Sequence, residues 1–117
     1  MTTEQLTDRV RKTCLSFPDT SEKLSHGAPT WFTRDRMFVM FMNNHHGDGR
    51  IAIWCNAPPG AQQALVASDP KTFFVPPYVG PKGWLGIRLD RRPRWPEVTA
   101  LIEQAYRITG VKKKAIL

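Results

Sequence analysis

The chain has 117 residues, 41% hydrophobic and 23% charged, which is one domain's length with enough core to fold without staples. No run approaches the roughly 20 apolar residues of a membrane span. The charged opening MTTEQLTDRVRKT has no apolar centre for a signal peptide, so a cytoplasmic address is expected.

The formal net charge is +7, and all of it lies late in the chain. Residues 1–70 hold seven basic and seven acidic side chains; residues 71–117 hold ten basic and three acidic. Such an imbalance points to an anionic partner, most often nucleic acid, although a solvated face with a basic tail over residues 111–117 accounts for the same count. Cys14 and Cys55 lie far apart with no CxxC pair and read as reduced, buried, small hydrophobes rather than a disulfide or a zinc site.

In chain order, Leu6, Val10, Cys14 and Phe17 recur at helical spacing, with Thr2 or Thr3 as N-cap and Pro18 as the stop. Three strands follow, over Pro29–Thr33, Arg36–Asn43 and Arg50–Asn56. Arg34-Asp35 joins the first pair, and NHHGDG, tolerant of positive φ, joins the second. The middle strand is apolar on both faces, which marks it as central. A short helix in APPGAQQALVAS is expected to start at the two prolines and bury Ala64, Leu65 and Ala67. Two more strands flank VPPYVGPKG, and a last helix starts at Pro96, is striped by Val98, Leu101, Ile102, Ala105 and Ile108, and is capped by Gly110. The expected fold is α+β in two layers: a five-stranded antiparallel sheet with helices on one face, in the order α-β-β-β-α-β-β-α.

The segments around His26-Gly27-x-Pro29 and Tyr78-Val79-Gly80-x-Lys82-Gly83-Trp84, with WPEVTALIEQAYRIT, resemble the MmcQ/YjbR family of small bacterial proteins from about Leu6 to Lys113. The resemblance implies a fold related to CyaY and secretion-chaperone-like domains. It also implies DNA binding through paired hairpins, and it carries no catalytic motif.

Residue by residue, Pro76 and Pro77 take the loop out of the sheet ladder, and Gly80 and Gly83 allow positive φ beside Lys82. A stiff projection with Tyr78, Lys82 and Trp84 at its edge is expected, suited to phosphates or an exposed base; packing of both aromatics against the first helix is the other reading. Gly86 between Trp84 and Arg88 would let something flat approach the sheet. Trp54 and the methionines of the central strand would share that face, which suits a base, a partner's apolar strip or a second copy of the chain.

Arg88, Arg91, Arg92, Arg94, Lys112 and Lys113 are the candidate phosphate contacts. His26, Gly27, Pro29, Gly80 and Gly83 read as structural, with His26 bonding backbone at the start of the first strand. His45, His46 and Asp48 read as a polar turn rather than a metal site. No cofactor and no catalytic residue is expected. The leading expectation is a non-enzymatic DNA-binding domain. The alternative is a protein-interaction or homodimeric module, and a small-ligand pocket around His26, Tyr78 and Trp84 comes third.

Overall fold

The computed structural model describes residues 1–111 and has six strands and three α-helices. Lys112 and Lys113, and most of the proposed basic tail, lie outside the described residues. Helix α1 (Thr3–Leu15) is closed by a reciprocal capping box between Thr2 and Gln5 and buries the stripe Leu6, Val10, Cys14. Strands β1 (Thr20–Ser25), β2 (Ala28–Thr33), β3 (Arg36–Asn43) and β4 (Ile51–Cys55) follow as an antiparallel meander. Helix α2 is Ala61–Ser68, β5 is Phe73–Phe74, β6 is Leu85–Arg88 and α3 is Trp95–Gly110. The sheet order is β1-β2-β3-β4-β6-β5, all antiparallel.

The α+β class stands, with six strands rather than five. The added strand, β1, has one large apolar residue, Leu24, and leaves it 73% exposed. A polar, lysine-bearing strand of this kind suits a sheet edge and shows no alternation to read. Its turn is legible in retrospect: His26 and Gly27 both have positive φ, 51° and 79°, as a two-residue primed hairpin requires. His26 is therefore an exposed turn residue, and among the described residues its imidazole makes no hydrogen bond to backbone.

The main core lies between the sheet and the helices, built on Val10, Trp31, Val39, Ile53, Leu85, Ile87 and Ile102. All three helices pack into it. Both cysteines belong to this core, Cys14 at 0% and Cys55 at 1% exposure, and burial pushes the Cys55 thiol up to about 12.

At the sheet's edge the Glu22 carboxylate accepts two bonds from Arg11, at 2.8 and 2.9 Å, and one from buried Trp31 Nε1 at 2.9 Å. Arg11, then burial working the other way, leaves the Glu22 carboxyl below its ordinary range. The C-terminal part of helix α3 is tied down twice. Tyr106 stacks on Phe17 and donates to the Pro18 carbonyl, and Thr109 Oγ1 accepts from Asn56 Nδ2.

Helix α2 starts three residues later than the prolines suggest, because Gly60 occupies the left-handed region (φ 86°) just before it. Its burial is also rotated: Ala64 and Ala67 are exposed, Leu65 is half-buried, and the buried residue is Gln62. The cause is polar. Gln62 Nε2 donates to the buried carbonyls of Trp84 (2.6 Å) and Gly80 (2.9 Å), the latter also accepting from the Gly83 N–H at 2.9 Å.

Candidate functional site

Among the described residues the second face of the sheet carries no α-helix. Register places Thr30, Met40, Trp54, Gly86 and Phe74 in one row across five strands, with Met42, Ala52 and Arg88 in the next. The segment 75–84 folds over part of this face instead of projecting from it. Pro76 is fully buried, and Val79 and Trp84 are 7% and 6% exposed, packed with Met40, Met42, Trp54 and Phe74. Gly80 is needed for closeness, since a Cβ there would meet Val75 Cγ1 at 2.7 Å. The positive φ falls on Tyr78 (62°) and Gly83 (87°), not on Gly80.

Something flat does approach Gly86: the chain's own Phe74, whose ring occupies the space a Cβ would take. The Arg50 guanidinium lies 4.1 Å from the Phe74 ring centroid and closes that end of the face.

What remains open is concave. A cavity of about 570 Å³ is walled by Met37, Met40, Met42, Trp54 and Val79, with Ser25, His26, His45, His46 and Tyr78 around it. The β3–β4 loop turns back to form the histidine wall, because Asn44 and His46 both adopt left-handed φ (52° and 49°). His45 sits edge-on to Trp54 with ring centroids 4.9 Å apart, and His46 is 4.1 Å from His45. Tyr78, 69% exposed, fixes the outer wall through a 3.2 Å hydrogen bond between its hydroxyl and His46 Nε2.

Two polar atoms of this wall are buried without a hydrogen-bond partner among the described residues: His45 Nε2 and Trp54 Nε1. Burial, and then the neighbouring His46, hold His45 below the usual imidazole range against the opposing pull of Asp48, which favours a neutral ring with a free lone pair. A second cavity of about 340 Å³ shares His26, Met42 and His45 and includes Gly27 and Pro29.

The predicted cationic residues are placed differently. Arg88 makes a bidentate pair with Asp90, at 3.0 and 2.9 Å, and the Asp90 carboxyl is lowered by that bond. Arg91, Arg92 and Arg94 are exposed in the turn leading into α3, and Arg94 is the N-cap. Arg9 of α1 joins them, 4.3 Å from the Trp95 ring centroid. Lys82 is exposed but precedes β6, whereas the arginines follow it. At about 3.3 Å per residue the two groups lie at opposite ends of the strand, on the order of 15 Å apart.

The structure thus brings together Tyr78, His26 and the methionine face, and it separates Lys82 from the arginine turn. Trp84 is too buried to stack on a ligand. The histidine wall was the part that sequence reasoning passed over, and the signal was MFVMFMNNHH. Its alternate methionines share one face, and its histidines come just past the strand end, where a tight loop can fold them back.

Among the described residues no helix is long and apolar enough to cross a membrane. A family model described as YjbR matches residues 15–108. Among solved structures the chain is similar to the crystal structure of the Deinococcus radiodurans protein DR2400, which carries the family-model domain DUF419. The TM-score is 0.76 and the identity 17%, over 95% of this chain and 81% of that one. At that identity the likeness shows the shared fold. A search of curated proteins gives no match.

Proposed function

The chain belongs to the YjbR family, and on that footing we propose that it is a binding domain whose working site is the methionine–histidine cavity. The observation that carries this reading is the pair of orphaned atoms, His45 Nε2 and Trp54 Nε1, in two residues that line a cavity large enough for a small ligand. Each buried polar atom without a partner costs about 1–3 kcal/mol, so a ligand that engages either one recovers energy the free protein lacks. The apolar remainder of the wall supplies contact area, and flexible methionines adapt to its shape.

A thermal-shift panel of small amphiphilic molecules and metal ions tests this with wild type and His45→Phe. A ligand at 100 times its Kd adds about 2.7 kcal/mol, which is about 11 °C for a chain of this length. At least one condition is expected to stabilise wild type and not the variant. A panel that stabilises neither protein, or both equally, refutes the reading.

A second reading, nucleic-acid binding, rests on Arg91, Arg92 and Arg94 with Arg9. These cations gather at the start of α3, where the helix dipole is positive and offers them no compensation. Tyr78 and Lys82 are the exposed members of the other group. If the arginine turn neutralises three phosphates, log Kd against log salt for duplex DNA should have a slope magnitude of roughly 2.7. Replacing the three turn arginines by neutral residues should abolish that slope. Equal binding by the variant removes this reading.

A further inference from the structure

All three histidines of the chain, and every methionine except Met1, line one cavity. Core packing needs no such concentration, and the combination has a chemical meaning. Met40 and Met42 are two apart on β3, so their side chains leave the same face of the strand. Trp54 stands directly opposite Met40 in the register. The His45 ring, folded back by the β3–β4 loop, lies edge-on to the Trp54 ring, and its buried Nε2 has no partner among the described residues.

We propose that this cavity binds a soft monovalent cation, copper(I), through the thioether sulfurs of Met40 and Met42 and through His45 Nε2, with the Trp54 ring against the ion. The inference rests on the reading of the cavity as the working site and names its ligand. Thioether and imidazole are the donors that favour copper(I) over the harder divalent ions. Among the described residues no three His, Cys, Asp or Glu side chains are grouped to hold a metal, so a zinc-type site has no donor set here.

The two thiols, the other soft donors, are buried in the main core on the helix side of the sheet. The proposed ligands are neutral and leave the ion's charge uncompensated. An indole is the best aromatic partner for a cation, so the Trp54 ring supplies an attraction that the donors do not. The cavity exceeds what a bare ion fills, and the three rotatable bonds of each methionine let the sulfurs close on it. Tyr78 is a positioning residue: its bond to His46 holds the loop that carries His45.

The test is an anaerobic competition against a chromophoric copper(I) chelator, with the intact chain. Wild type should take up one equivalent. The Met40→Leu/Met42→Leu variant keeps side-chain volume and therefore the fold. Its affinity should fall by at least about 100-fold, the upper range for loss of a supporting contact alone. His45→Phe should lose affinity comparably, and zinc(II) should not displace the copper. Uptake that is absent, unchanged in the double variant, or displaced by zinc(II) overturns the proposal. A protein that takes molecules from the thermal-shift panel but not copper(I) keeps the cavity as the site and loses only the ion.

Discussion

Replacing Gln62 by Leu keeps volume and burial but deletes both hydrogen bonds that anchor the segment covering the second face. The Trp84 carbonyl, 2.6 Å from Gln62 Nε2, would lose its buried donor, while the Gly80 carbonyl would lose one of two donors and keep the Gly83 N–H. An unsatisfied buried acceptor costs about 1–3 kcal/mol. Adding the roughly 0.5–1.5 kcal/mol net contribution of the second bond, to Gly80, puts the loss at about 2–4 kcal/mol. For 117 residues, an unfolding entropy of about 2.1 cal/mol/K per residue converts each kcal/mol to about 4 °C. The expected fall in Tm is therefore about 8–16 °C, measured by circular dichroism at one protein concentration. Because Val79 and Tyr78 of the same segment line the cavity, any ligand of the site should also bind more weakly. A Tm loss below about 2 °C would show that apolar packing alone holds the segment, and the role given to Gln62 would be wrong.

Three further outcomes are expected. Gly86→Ala drives a methyl into the Phe74 ring and should cost about 1–3 kcal/mol in urea unfolding. The cost should shrink in a Phe74→Leu background, and additive costs would refute the contact. Glu22→Gln should destabilise the protein at pH 7. The folded carboxyl sits below its ordinary value through Arg11 and Trp31, so its stabilisation is complete above the unfolded pKa of about 4.3 and is lost as pH falls through the lower folded value. The gap between wild type and variant should accordingly close between about pH 5 and pH 3; a gap constant over that window would contradict the pairing. Native Cys14 and Cys55 should resist a thiol-specific disulfide reagent until the chain unfolds, because both thiols are buried and raised, Cys55 to about 12. Labelling at the rate of a free thiol would refute that.

The elements with strong periodicity were legible. The stripe Leu6, Val10, Cys14 and the two-faced apolar pattern of Arg36–Asn43 placed α1 and the central strand correctly. β1 was not legible, because an edge strand that buries almost nothing has no hydrophobic pattern to show. The burial of α2 escaped for a different reason: Gln62 faces inward to satisfy carbonyls 18 and 22 residues away, a demand that exists only in three dimensions.

At the site, strand alternation places Trp54 and the methionines on one face, and of the trio His26, Tyr78 and Trp84 expected around a pocket, His26 and Tyr78 line the cavity and Trp84 does not. Trp84 was misplaced because the two prolines and Gly83 read as a projection, whereas Pro76 and Val79 turn the same segment inward. The histidines read as a polar turn because the left-handed Asn44 and His46 that fold them over Trp54 leave no mark in the spacing.

The most direct measurement is a methyl-selective carbon–proton spectrum of the methionines during titration with silver(I), a redox-inert stand-in for copper(I). Met1 is an internal control far along the chain from the cavity-lining Met37, Met40 and Met42. The Met40 and Met42 methyl signals should move together and saturate at one equivalent while Met1 stays in place. Signals that do not move, or that move no more than Met1, would contradict it.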